Sequence, residues 1–203
     1  MSIENRKFVI EGAPGAGKTT LLFGNPDDPN NADRIPSLSD HGFNIVREAI
    51  TKIADDMRAE GKVPTENIKQ FIQRTIDQSI EDSSNPNSDI CILERGLPGY
   101  FFIENIFDEK LPQKYFDFSK VTNYESPIFV LETIDDFDMS EANKGLRKGR
   151  VATLEQRKDI FNKTIELYRK LGYEIEIVPM YSKDIAENNK KRMEHILKFI
   201  SKK

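Results

Sequence analysis

The chain of 203 residues has one cysteine, Cys91, and only two histidines. A single cysteine excludes a disulfide within the chain. With two isolated histidines beside it, a structural zinc site is not expected either. Cys91 sits inside the apolar run DICILE, which reads as a buried strand cysteine rather than a reactive thiol. No apolar run approaches a membrane span, and the opening MSIENRK has no apolar signal core. A reducing, cytoplasmic setting is the expectation. Neither sign of charge dominates: 30 Lys and Arg face 34 Asp and Glu, a net charge of −4. That balance gives no electrostatic reason to expect nucleic acid or an anionic membrane as partner. No internal repeat is visible.

Apolar residues make up 37% of the chain and charged residues 32%, the balance of a folded domain with a heavily charged surface. The length suits one α/β domain spanning 1–203, with enough chain to bury a sizeable core. Short apolar runs at 7–12, 43–48, 89–94, 126–133 and 173–179 read as five strands. Helical periodicity occupies 18–24, 49–60, 65–82 and 154–172, and an irregular helical region covers about 99–118. Thr65 is the expected cap of its helix. The segment 25–42, with three prolines and many turn formers, reads as a loop or short insertion. Strands separated by helices predict a parallel sheet covered on both faces, with ligands beyond the carboxyl ends of the strands. The basic C-terminal stretch carries Ile185, Met193, Ile196, Leu197 and Ile200 at roughly helical spacing, which makes it a surface helix rather than a nucleic-acid patch.

The strongest signal is FVIEGAPGAGKTTLL. Residues Gly12, Ala13, Pro14, Gly15, Ala16, Gly17, Lys18 and Thr19 match G-x-x-x-x-G-K-[ST] in full, and Thr20 follows. The motif leaves a predicted strand and opens a predicted helix, its confirming context. Glycines let successive N–H groups turn inward around an anion, and a helix N-terminus adds a favourable dipole. Lys18 would neutralise the β- and γ-phosphates of ATP, and the Thr19 hydroxyl would take Mg²⁺. Leu21, Leu22 and Phe23 fit a core.

The other strand ends carry further candidates. The third strand ends in ILERG, where Glu94 would complete the metal shell begun by Thr19 and Arg95 would clamp a phosphoryl or acceptor group. The second ends in IVREA, where Glu48 is either a general base or a glutamate that simply favours a helix start. Arg47 would pair with it or face solvent. Between the fourth strand and the next helix, KGLRKGR lies in a polar, basic region, 135–153, that reads as a lid over phosphates. Arg147 and Arg150 are its leading candidates, ahead of Lys144, Lys148 and Arg157. Phe71, Gln73, Arg74 and Tyr100 are candidate linings of an acceptor pocket, although the helical spacing of Phe71 already explains it as core.

Together these residues resemble the deoxynucleoside- and nucleotide-kinase branch of P-loop proteins. The ERG at 94–96 is close to the Glu-Arg-Ser of deoxynucleoside kinases, and LRKGRVATLEQ is similar to their arginine-bearing lid. The resemblance implies Glu48 as general base, Arg95 as clamp, and Arg147 and Arg150 as lid arginines. Two positions and one absence depart from that pattern: Ala49 follows Glu48 where Pro is usual, Gly96 stands where Ser is usual, and the chain has no Trp. In order, EGAPGAGKTTLL, VREAI, ERGLPGYFF, PIFVLE and LYRKLGYEIEIVP are also similar to small AAA-type predicted ATPases, over about 8–198. The resemblance implies a nucleoside- or nucleotide-kinase-like α/β fold. It also implies ATP with Mg²⁺ and a small-molecule acceptor.

Three functions stay open on the residues: a kinase, an ATPase that switches a partner protein, and a module that holds nucleotide without turnover. A GTPase switch is disfavoured. The NKGL at 143–146 lacks the final Asp of a guanine reader, and no Asp-x-x-Gly follows the third strand. The acceptor and the oligomeric state are not set by these residues.

Overall fold

The computed structural model describes residues 6–24, 35–84, 90–134 and 153–201. The described residues form five strands: β1 (Arg6–Glu11), β2 (Asn44–Val46), β3 (Ile90–Leu93), β4 (Ile128–Leu131) and β5 (Ile175–Val178). They form one parallel sheet in the order β2-β3-β1-β4-β5. The helices are α1 (Lys18–Phe23), α2 (Ala49–Ala59), α3 (Ile68–Ser84), α4 (Phe102–Phe107), α5 (Gln113–Ser119), α6 (Leu154–Lys170) and α7 (Ile185–Ile200). Among the described residues, no helix is long and apolar enough to cross a membrane.

The chain divides into two compact units that interleave in sequence: Met1–Val9 with Asn44–Ser126, and Ile10–Phe43 with Pro127–Lys203. In the first unit β3 is the centre. It pairs with β1 from Arg6↔Ile90 to Val9↔Leu93 and with β2 from Asn44↔Cys91 to Val46↔Leu93. Helices α2 and α3 seal a cluster of Ile53, Met57 and Phe71, with Phe107 edge-on to Phe71 at 5.8 Å. The core reading of Phe71 is therefore the correct one. Cys91 is fully buried in β3.

Thr65 does not cap α3. It lies exposed in the turn before the helix, and Asn67 supplies the first backbone acceptor, from Phe71 N at 2.9 Å. The Asn67 side chain folds back to Val63 O, so the turn, not a hydroxyl cap, sets the helix start.

In the second unit β4 is central. It pairs with the end of β1 through Ile10↔Phe129 and Glu11↔Val130, and with β5 from Ile128↔Ile175 to Leu131↔Val178. All four β4 side chains are buried, as the apolar run demands. Leu21 and Leu22 of α1 are fully buried, each worth about 1.5–3 kcal/mol relative to exposure. The described part of the 25–42 segment is more than an insertion. Leu38 is fully buried, and a 3₁₀ turn at Leu38–His41 is closed by a capping box between Ser37 and Asp40. Helix α6 opens on a second capping box, between Thr153 and Gln156.

Candidate functional site

The phosphate-binding loop lies in the second unit, directly after β1. Gly15 and Gly17 have φ of 77° and 87°, the left-handed region that glycine adopts without steric penalty. Gly12 is tightly enclosed: an added Cβ would stand 3.1 Å from Ala16 Cβ and 3.3 Å from Leu131 O. Ala13 and Ala16 are buried, so the loop is anchored on its small apolar side chains. Lys18 is buried and its Nζ donates to Gly12 O at 2.9 Å, folded back along the loop. Thr19 is exposed and Thr20 half-buried. Helix α1 has only six residues, so its dipole adds little.

A cavity of about 400 Å³ adjoins this loop, lined by Gly17, Thr20, Ile134, Met180, Asn189 and Arg192 among others. Polar residues of α7 shape it. Asn189 Nδ2 donates to Thr20 O at 3.2 Å and to Pro36 O at 2.5 Å, tying α1 to the segment that follows it. Arg192 is 1% exposed and donates to Ala16 O at 2.6 Å. The periodicity of α7 correctly places Met193, Ile196 and Ile200 in the core, but Ile185 is 63% exposed. The buried polar side of the helix, Asn188, Asn189 and Arg192, was not expected from it. A second unexpected group is Glu11, fully buried at the end of β1, whose Oε1 accepts from Tyr168 Oη at 2.8 Å.

The first unit holds the other cluster. Glu48 stands at the position before α2, but its side chain makes no cap bond. Instead its Oε1 accepts from Arg95 Nε at 2.5 Å, with both side chains nearly sealed from water. Arg95 Nη1 also reaches Gly99 O at 3.3 Å. The guanidinium lies 4.6 Å from the Phe102 ring centre and 5.8 Å from that of Tyr100. Glu94 is buried and its Oε2 accepts from Glu48 N at 3.1 Å. Tyr100 is buried too, its Oη accepting from Ala49 N at 2.8 Å. Thus β2 and β3, ending side by side, bring Glu48, Glu94, Arg95 and Tyr100 into one network. Arg47 takes no part in it. It lies 3.7 Å from Asp55 on the surface.

Gln73 and Arg74 are engaged elsewhere. Gln73 donates to Asp77, and Arg74 Nη1 to Glu60 Oε1 at 2.7 Å. Arg157 is buried and donates to Ile134 O at 2.9 Å, which makes it a structural anchor for the end of β4. Arg147, Arg150, Lys144 and Lys148 lie outside the described residues.

A family model described as an AAA domain matches residues 7–188. The chain belongs to the AAA domain family. Among solved structures, this AAA domain resembles shikimate kinase from Acinetobacter baumannii in complex with shikimate. The TM-score is 0.54 at 14% identity, over 98% of this chain and 96% of that one. It also resembles deoxyadenosine kinase from M. mycoides with bound dATP, with a TM-score of 0.53 at 15% identity over 97% and 100%. A second structure of the M. mycoides enzyme, with products dCMP and dCDP, gives 0.54 at 17% identity over the same shares. At such identities the likeness is one of fold: a P-loop kinase-type α/β domain. No curated protein matches the sequence.

Proposed function

We propose that this AAA domain is a cytoplasmic, ATP- and Mg²⁺-dependent kinase. It would transfer the γ-phosphate to a nucleoside-, nucleotide- or metabolite-type acceptor. The observation that carries the reading is the buried Glu48–Arg95 pair with Tyr100 and Phe102 against it. Removing two charges from water costs several kcal/mol, roughly, and a pair kept at that cost without solvent needs a reason beyond stability. Recognition of a hydroxyl-bearing acceptor supplies one.

In this reading residues Gly12 to Thr20 hold the triphosphate, and Lys18 exchanges its bond to Gly12 O for phosphate oxygens. The cavity beside Gly17 and Thr20 receives the base. The hard oxygens of Thr19 and Glu94 suit Mg²⁺, which usually keeps waters and phosphate ligands alongside one or two protein groups. When bound, it supplies charge neutralisation on the phosphates. Glu48 accepts the proton of the attacking hydroxyl, and Arg95 orients that carboxylate while offering positive charge to the transferred group. Arg147 and Arg150, which lie outside the described residues, would add positive charge for the transferred group.

A second reading, an ATPase that switches a partner protein, is favoured by one feature. Phe116, Phe118 and Val121 are 40%, 43% and 71% exposed within six positions on and after α5. The deciding experiment is ADP release from Mg·ATP with and without pooled nucleosides, nucleoside monophosphates and small hydroxylated metabolites. A kinase responds to one pool with a rate well above the water background. A slow rate that no pool changes favours the ATPase.

A further inference from the structure

Among the described residues of the second unit Arg192 is the most deeply buried cation, and it touches three segments at once. Its Nη1 donates to Ala16 O at 2.6 Å, its Nη2 to Glu132 O at 3.0 Å and its Nε to Pro179 O at 3.0 Å. These carbonyls belong to the phosphate loop, the end of β4 and the end of β5. Burial pushes the guanidinium down to about 10, with Glu132 and Tyr181 opposing, so it stays charged at neutral pH.

A trans peptide sends its C=O and the next N–H in opposite directions. Fixing the Ala16 oxygen on Arg192 therefore fixes the Gly17 N–H to point away from it. Rotation of that peptide turns on ψ of Ala16 and φ of Gly17, and Gly17 sits in the left-handed region, where glycine resists rotation least. Left alone, the Ala16–Gly17 peptide could turn over. Its carbonyl would then present negative charge where phosphate oxygens bind. The planar fork of a guanidinium can hold three carbonyls in fixed directions, whereas a lysine ammonium is a point charge on a flexible stem.

We propose that Arg192 is a positioning residue for triphosphate binding. It locks the Ala16–Gly17 peptide so that the loop meets phosphate already shaped for it. This rests on the phosphate-binding reading of residues 12–20, and the test separates the two.

The probe is Mg²⁺ with tripolyphosphate, which lacks a base and reports on the loop alone. The unaltered chain should bind it. Arg192→Gln and Arg192→Ala should each weaken it about 10- to 100-fold, the loss of a hydrogen bond made by a charged group. In turnover the KM for ATP should rise similarly, while kcat at saturation falls less than about threefold. Millimolar guanidinium ion should restore tripolyphosphate affinity to Arg192→Ala and leave the unaltered chain unchanged. Arg192→Lys should recover only part.

If the unaltered chain fails to bind tripolyphosphate, the phosphate-binding reading falls and this inference with it. If it binds and a folded Arg192→Gln binds equally well, only the inference falls. Should the variants not fold, hydrogen exchange on the unaltered chain decides. Saturating tripolyphosphate should slow exchange in 12–20 and in α7 together, relative to α3. Protection confined to 12–20 would overturn the proposal.

Discussion

Arg95 Nε donates to Glu48 Oε1 at 2.5 Å, and the two residues are 4% and 8% exposed. A carboxylate so placed is held in one orientation. Glu48→Gln keeps the shape of the side chain and removes its proton affinity. Phosphoryl transfer should fall by roughly 10²–10⁴-fold with ATP affinity preserved. The check is single-turnover transfer alongside calorimetric ATP binding. Near-normal transfer removes Glu48 from the mechanism.

Lys18→Ala deletes the cation that lies along the loop at Gly12 O, 2.9 Å away. Turnover should become undetectable, and triphosphate binding should weaken by about tenfold or more. Unchanged ADP release would sink the phosphate-loop assignment.

Gly24 and Gly172 separate backbone preference from collision. Both have positive φ, 75° and 88°. A Cβ at Gly24 would stand 2.6 Å from Ile35 O, whereas one at Gly172 meets nothing within 4 Å. Gly172→Ala should cost about 1–2 kcal/mol, the left-handed penalty alone. Gly24→Ala should cost clearly more and lower the melting temperature further, by roughly 2–4 °C for each extra kcal/mol. Equal melting temperatures would contradict the packing of Ile35 against α1.

Thr75 is fully buried in α3, and its Oγ1 has no hydrogen-bond partner among the described residues. Thr75→Val keeps the shape and removes the stranded hydroxyl. Stability should rise by about 1 kcal/mol. Chemical denaturation of both proteins tests this, and a loss of stability would reveal an overlooked acceptor.

Burial pushes the Cys91 thiol up to about 11 from an ordinary 9.0, with Asp82 adding to the rise and Lys7 opposing it. The folded chain thus favours the neutral thiol. That contribution is complete below pH 9 and drains away as pH climbs toward 11. Relative to Cys91→Val, the native chain should lose stability across that window. In the same native state the thiol should resist iodoacetamide at pH 8 and react once unfolded. A constant difference between the two denaturation midpoints would count against it.

Most of the scaffold is readable from runs of apolar residues, since each strand is short, buried and bounded by turn formers. The strands are shorter in the fold than in the sequence reading: β2 ends at Val46 and β3 at Leu93, although Glu94 N still donates to Val46 O at 2.9 Å. The phosphate loop is legible because its glycines act locally. The Glu48–Arg95 pair is not, because its members are 47 positions apart and only the adjacency of β2 and β3 joins them. Arg192 and Asn189 are hidden for another reason. They stand in a lysine-rich stretch, and a charged residue on a helix reads as solvated until its neighbours are known.

The bond from Arg192 to Ala16 spans 176 positions. On the ribosome the phosphate loop emerges early and its brace emerges late. If Arg192 positions the loop as proposed, a nascent chain would carry for most of its synthesis a nucleotide motif not yet braced for phosphate. Nucleotide would then act as a reward for finishing. The braced chain would then gain the extra stability that a bound ligand confers, and a stalled or clipped chain lacking α7 would gain less.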